Sequence, residues 1–268
     1  MSDLNESRRR LDSLLRGLEQ VVVAFSGGID STLVLKLAHE ALGDKVIAAT
    51  AVSSSLARQD LNDAQRIAAE IGVKHVLLES SEVEDPRYRK NDTQRCYFCK
   101  SNVYDTLIRY AGGEGLRWIL DGTNADDTGD HRPGLRAARE HGVRSPLQEC
   151  GLGKEQIRAL AKEAGLSNWA KPANACLSSR IPYGSEVTPE KLSQVETAEA
   201  ALRKLGFTQL RVRHHGTVAR IEVPKEELKE AVNFGDAITE AVREAGFQYA
   251  TIDLEGFRSG SMNEGPGR

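Results

Sequence analysis

Apolar and polar positions along this chain recur with two periods, and the order of those periods already describes a fold. Residues 4–18 space their apolar side chains as an amphipathic helix. VVVAF at 21–25 is then a short, wholly apolar run rich in β-branched residues, the pattern of a strand buried on both faces. It runs into SGGID, after which STLVLKLAHEAL has helical spacing. VIAATAV (46–52) reads as a strand, 57–71 as a helix ending near Gly72, and KHVLLE (74–79) as a strand. A polar loop is expected at 80–95, a helix at 96–110, a strand at RWILDG (117–122) and a closing helix at 154–165. Strands alternating with helices predict an α/β fold: a parallel, doubly wound sheet covered on both sides, with ligands at the carboxyl ends of its strands.

Residues 166–190 break this rhythm with three prolines and many small polar side chains. Beyond them the pattern predicts a helix at 189–205, strands at 208–213 and 217–223, helices at 225–232 and 235–245, and a strand at 248–254. The expected division is therefore a first domain at 1–168, a linker at 169–188 carrying Cys176, and a small α+β domain at 189–268. The glycine-rich last fourteen residues are expected to be mobile.

Composition narrows the function classes. The 268 residues are 40% hydrophobic and 28% charged, an ordinary globular balance. A net charge of −3 argues against a protein whose main work is gripping nucleic acid. The N-terminus lacks the apolar core of a secretory signal, and no stretch approaches the ~20 apolar residues of a membrane span. Four cysteines without a signal peptide suggest reduced thiols, so a cytoplasmic protein is expected.

The chemistry starts at FSGGIDST, between a buried strand and a helix. Gly27 and Gly28 let the backbone turn tightly and approach a ligand. Ser26, Ser31 and Thr32 add hydroxyls, and a helix starting near Asp30 offers open N–H groups at its positive end. The lysine-bearing GxxxxGK[ST] loop is absent. SGGIDS resembles the pyrophosphate-binding loop of the PP-loop ATP pyrophosphatases, which cleave ATP to AMP and pyrophosphate while adenylating a substrate. That resemblance implies an adenine nucleotide alpha hydrolase-like first domain, with ATP held by Ser26, Gly27, Gly28, Asp30, Ser31 and Thr32. It also implies that a second strand end, DGTNADD, lies beside the nucleotide through Asp121, Gly122, Thr123 and Asn124. Asp126 and Asp127 are candidate Mg²⁺ carboxylates, because magnesium on ATP takes one or two of them. A solvated acidic turn would read the same way.

Four further stretches, DHRPGLRAAREHGVRSPLQE (130–149), CLSSRIPYG (176–184), LRVRHHGTVARIEVP (210–224) and DLEGFRSG (253–260), resemble the LarE family of ATP-dependent sulfur transferases. The likeness covers about residues 15–260. It implies adenylation of the carboxylates of pyridinium-3,5-biscarboxylic acid mononucleotide, then replacement of AMP by sulfur, for the nickel-pincer cofactor of lactate racemase. Asp30 and Cys176 are the catalytic residues so implied. Arg211 and Arg213 alternate on one strand face, and with Ser179 and Arg180 they match the family's substrate-phosphate site. Glu199, Glu222 and Glu230 match acidic residues that can hold a divalent metal. Homo-oligomers are the family's tendency.

The cysteines separate two routes. Cys176 matches the position of a sacrificial cysteine that some family members convert to dehydroalanine. Cys96 and Cys99, spaced i and i+3 in RCYFCK, can point at one metal. With Cys176 they make three thiolates, too few for a closed zinc site and suited to a [4Fe–4S] cluster with one open iron. The resemblance agrees, since family members with three cysteines are the cluster-bearing kind, drawing sulfur from an external sulfide source. Cys150 matches no motif: it reads either as a fourth ligand, which would make the site zinc, or as a buried structural thiol, and His214 and His215 are further possible ligands. A tRNA-thiolating PP-loop enzyme and a non-catalytic nucleotide or metal-binding module are the competing readings.

Overall fold

The computed structural model describes residues 2–129, 133–172 and 174–258. Asp130, His131 and Arg132 of the first LarE-like stretch, and the glycine-rich end from 259 on, lie outside the described residues. The first elements in chain order are α1 (Ser2–Arg16), β1 (Val21–Ala24), α2 (Ile29–Leu42), β2 (Val46–Val52), α3 (Arg58–Ile71) and β3 (Lys74–Glu79). Then come α4 (Pro86–Arg89), α5 (Arg95–Gly113), β4 (Trp118–Leu120), α6 (Pro133–Glu140), α7 (Pro146–Glu149) and α8 (Lys154–Glu163). The last are α9 (Pro189–Lys204), β5 (Arg211–His215), β6 (Val218–Glu222), α10 (Leu228–Asn233), α11 (Gly235–Glu244) and β7 (Tyr249–Ile252). No helix among the described residues is long and apolar enough to cross a membrane.

The elements form two compact units: Met1–Asp85 with Gln94–Asn174, and Pro86–Thr93 with Ala175–Arg268. In the first unit the sheet order is β3-β2-β1-β4, and every neighbouring pair is parallel. β1 is central because its valines serve two cores. Val21 and Val23 pack with Leu11 and Leu15 of α1, with α2 and with Ile157 and Leu160 of α8. Val22 packs on the opposite face with Tyr104 and Leu107 of α5 and Ala137 of α6. Successive strand side chains point to opposite faces, so an uninterrupted apolar run is what a sheet covered on both sides requires. This is the doubly wound α/β arrangement predicted by the alternation. α3 buries Ala64, Ile67 and Ala68 and ends at Gly72, which has φ 84° and closes the last turn onto the Ala68 and Ala69 carbonyls.

The second unit has a three-stranded sheet, β5-β6-β7, in which β5 and β6 are antiparallel and β6 and β7 parallel. Arg211 pairs with Glu222 and Arg213 with Arg220 across the β5–β6 ladder, so all four side chains share one face.

Two stretches differ from expectation. The polar loop at 80–95 contains a 3₁₀ turn at Glu82–Glu84 and the short helix α4. Its residues 86–93 belong to the second unit. Asn91, fully buried and at φ 56°, donates from Nδ2 to the carbonyls of Pro182 and Ser185, both at 2.8 Å, and to that of Ile181. Tyr88 and Ser178 share a buried hydroxyl–hydroxyl bond. The stretch expected as a linker divides at Asn174 and Ala175 between the two units. Its 3₁₀ turn Leu177–Arg180 is packed inside the second unit.

Candidate active site

β1 delivers the chain to the phosphate loop, and Gly27 makes the turn at φ 69°. A Cβ on Gly27 would lie 3.1 Å from the backbone and Cβ of Ala64 on α3, so only glycine fits both the dihedral and the space. Gly28 begins α2 without a side-chain cap, which leaves the first-turn N–H groups facing outward at the positive end of the helix dipole. Ser31 and Thr32 are buried, and both donate their hydroxyls to Gly28 O, at 3.1 and 2.8 Å. They hold the loop's shape, while Ser26 and the half-buried Gly28 and Asp30 stand at its mouth.

The end of β4 meets this loop directly. A Cβ on Gly122 would lie 2.6 Å from Ser31 N, so the strand end touches the first turn of α2. Asp121 is nearly fully buried and accepts four bonds from within the chain: Ser145 Oγ (2.7 Å), Tyr104 Oη (2.9 Å), Thr123 Oγ1 (2.9 Å) and Thr123 N (3.1 Å). It fixes the strand end. Asn124 donates from Nδ2 to Asp30 Oδ2 at 3.3 Å and accepts from Asp126 N at 3.0 Å. Asp126 accepts from Lys154 N at 2.7 Å and so caps the N-terminus of α8. Asp127 accepts from Asn124 N at 3.2 Å.

Burial raises the Asp30 pKa above the ordinary carboxylate value. The Asn124 hydrogen bond works against that shift, and the neighbouring Asp127 charge adds to it. A raised acid pKa stabilises the fold below the unfolded-state value, and the stabilisation is lost as pH rises through the folded one. At neutral pH the ionised Asp30 therefore costs stability. Asp30→Asn should raise the melting temperature of the nucleotide-free protein at pH 7, with the gain vanishing below about pH 4. The same variant should weaken MgATP binding by about tenfold or more. A lower melting temperature at pH 7 would refute the assignment.

Sequence reasoning missed Tyr104 and Ser145, because their bonds to Asp121 span 17 and 24 positions and leave no local period, and with them Lys100, which reaches this cluster through Tyr104. Lys100 closes RCYFCK, with its ammonium 5.4 Å from the centre of the Tyr104 ring. The Tyr104 oxygen holds the Lys100 pKa above its ordinary value; desolvation opposes this, and Asp121 reinforces it.

The second unit gathers the predicted arginines. Arg180 and Arg213 are almost fully buried. Arg180 Nε donates to Glu199 Oε1 at 2.8 Å. Arg213 makes a two-pronged pair with Glu222, at 3.0 Å from Nε and 2.8 Å from Nη2, and its Nη1 donates to Ser179 O at 2.8 Å. Arg203 and Arg220 approach the same carboxylates from the rim. Arg211 differs. It lies 4.5 Å over the Phe257 ring and donates to Arg258 O at 3.4 Å, with no carboxylate in ion-pair contact among the described residues. Burial lowers its pKa to about 10, and repulsion from Arg213 and Arg180 adds to the shift. Excess buried positive charge of this kind favours an anion.

The three glutamates are not gathered into one group of metal-ligating side chains among the described residues. Glu199 and Glu222 are held by guanidinium groups, and Glu199 also accepts from Val212 N. Glu230 is exposed on α10. His214 is bonded to Gln194 Oε1 at 3.0 Å and packs against Phe247. None of the four cysteines is in a disulfide. Cys96 and Cys99 lie in the first turns of α5 in the first unit, and Cys176 is exposed in the second. No group of three or more His, Cys, Asp or Glu side chains placed to hold a metal occurs among the described residues. Cys150 sits in the first unit's apolar core. Burial, then the Glu149 charge, raise its pKa.

Loop, parallel sheet and open helix terminus together define an ATP-using PP-loop enzyme, and residues 11–105 match the NAD synthase family. The chain is 46% identical over 249 residues to an uncharacterized protein of Synechocystis sp., covering 92% of each. It is 41% identical over 265 residues to the pyridinium-3,5-bisthiocarboxylic acid mononucleotide synthase of Lactiplantibacillus plantarum, covering 98% of this chain and 96% of the relative. An uncharacterized protein of Methanocaldococcus jannaschii is 30% identical over 241 residues, covering 90% of this chain and 92% of its own length. The chain belongs to the LarE family.

Proposed function

We propose that this enzyme uses ATP to adenylate a carboxylate of pyridinium-3,5-biscarboxylic acid mononucleotide and then exchanges AMP for sulfur. The observation that carries this reading is Arg211, a buried cation beside Arg180 and Arg213 whose charge no carboxylate in ion-pair contact answers among the described residues. A nucleotide monophosphate group supplies the missing anion. In the first step a substrate carboxylate oxygen attacks the α-phosphorus of ATP, and pyrophosphate leaves with the electron pair of the broken P–O bond. The α2 N–H groups and Ser26 hold that leaving group. In the second step a sulfur nucleophile adds to the acyl carbon and AMP departs, a far better leaving group than oxide. Asp30 and Asp127 have the hard carboxylate oxygens that suit Mg²⁺, which would offset phosphate charge when bound with ATP.

Cys176 is the third proposed cluster ligand and, on the alternative sacrificial route, the sulfur donor; it is exposed, as attack requires. The soft thiolates of Cys96, Cys99 and Cys176 have the donor chemistry of an iron–sulfur cluster. Such a cluster would offer an open iron for external sulfide and spare the protein's own cysteine. This assignment rests on the family resemblance. If Cys176 instead gives up its own sulfur, the chain is left with dehydroalanine after one transfer.

Anaerobically prepared protein with MgATP, the mononucleotide and sulfide should release pyrophosphate and form thiocarboxylate. Cys176→Ala should keep pyrophosphate release within about threefold and lose sulfur transfer by a factor of 10² or more. More than one sulfur per chain excludes the sacrificial route. Cys96→Ala that still takes up iron and turns over would sink the cluster. Pyrophosphate release that needs tRNA in place of the mononucleotide would overturn the substrate.

A further inference from the structure

The stretch after α8 reads as a linker by composition, yet its first half reaches the back of the phosphate loop. Asn168 is 5% exposed. Its Nδ2 donates to Gly27 O at 3.0 Å and to Thr32 Oγ1 at 2.9 Å. Thr32 gives its own hydroxyl proton to Gly28 O, so its oxygen can only accept from Asn168. Gly27 O is an acceptor as well. Both partners therefore fix the amide with its nitrogen toward the loop. Asn168 Oδ1 is buried with no hydrogen-bond partner among the described residues.

The two Asn168 bonds control which way a peptide faces. A trans peptide carries its C=O and N–H on opposite sides. Drawing Gly27 O back to Asn168 turns the Gly28 N–H the other way, toward Ser26 Oγ at the loop mouth, 3.3 Å away. Gly28 O is drawn back by Ser31 Oγ, Thr32 Oγ1 and Thr32 N. An anion site built from backbone tolerates no carbonyl aimed into it, because its partial negative charge repels phosphate oxygens. Gly27 has no side chain of its own to bias that peptide, so the restraint must come from outside the loop.

The rest of the stretch is held in place to supply it. Ser167 Oγ donates to Glu70 Oε2 at 2.6 Å. Lys171 Nζ bonds Asp60 at 3.1 Å and Asp63 at 2.8 Å, and Asn174 Nδ2 bonds Asp60 at 2.7 Å. All these acceptors lie on α3, the helix whose Ala64 packs against Gly27. The clamp and the loop thus share one support.

We propose that Asn168 is a positioning residue of the phosphate loop, setting the Gly27–Gly28 peptide so that its N–H faces the pyrophosphate. The proposal rests on ATP use at this loop. Its test is calorimetric binding of MgATP and of magnesium pyrophosphate to wild type, Ser167→Ala, Asn168→Ser, Asn168→Ala and Asn168→Asp. Ser167→Ala, which removes one exposed bond of the clamp and leaves the Lys171 and Asn174 bonds to α3, should lose less affinity for both probes than Asn168→Ala does. Asn168→Ala should lose about tenfold in pyrophosphate affinity, Asn168→Ser less, and Asn168→Asp the most, since its carboxylate faces the Gly27 carbonyl. Lowering pH from about 8 to about 5 should restore Asn168→Asp relative to wild type, as the protonated acid regains one donor, and should not restore Asn168→Ala. Wild-type affinity in both Asn168→Ala and Asn168→Asp would overturn the proposal. So would equal losses in the two at every pH, which a packing role alone predicts. Wild-type protein that binds neither probe would remove the nucleotide reading itself, and this proposal with it.

Discussion

Gly122→Ala should release pyrophosphate about a hundredfold more slowly than wild type. The added Cβ would lie 2.6 Å from Ser31 N, 3.0 Å from Asp30 C and 3.0 Å from Ser31 Cα. All three are backbone atoms in the first turn of α2, and none can rotate aside. The strand end and the helix must separate, and a displacement of about 1 Å at a catalytic constellation costs on the order of 10²-fold in rate. The accompanying overpacking should lower stability by about 1–3 kcal/mol. Urea unfolding and a coupled pyrophosphate assay would measure the two effects. A variant with wild-type turnover would show that β4 and the loop need not touch.

Glu222→Ala should cost the fold about 3–5 kcal/mol, the range for removing one partner of a buried ion pair. Glu222 is fully buried and faces Arg213 through two bonds and Arg220 through a third. Its loss leaves the Arg213 guanidinium without its buried carboxylate partner. Glu222→Gln keeps an acceptor and the side-chain volume and should cost less. Unfolding midpoints of the three proteins order the effect. A Glu222→Ala protein within about 1 kcal/mol of wild type would mean that the guanidinium finds solvent or another acceptor.

How much of this was legible in the sequence depends on the kind of interaction that forms each part. VVVAF announced a strand with both faces covered, and its valines do divide between two cores. FSGGIDST was legible for a similar reason, since glycines between a buried strand and a helix have few other uses. The roles of the hydroxyls and carboxylates within the site were not. Ser31 and Thr32 look like ligand donors in the sequence, yet both bond Gly28 O. Asp126 looks like a metal carboxylate and caps a helix. Glu199 and Glu222 match acidic metal residues, and in the structure both are bonded by arginines. Hydrophobic periodicity reports which face of an element is buried. It carries no trace of a hydrogen bond made by a residue 94 or 141 positions away, as between Asn124 and Asp30 or between Asn168 and Gly27.

The eight residues from Pro86 to Thr93 have a consequence for inheritance. The chain passes between the two units three times, at 85–86, 93–94 and 174–175. A gene fragment beginning at Ala175 would encode the β5–β7 sheet without Asn91. The carbonyls of Ile181, Pro182 and Ser185 would lose the side chain that ties them together, and Ser178 would lose Tyr88. The second unit is thus not a transferable cassette. Recombination can move it intact only together with a piece of coding sequence that lies inside the nucleotide-binding half, so the two halves are expected to descend as one.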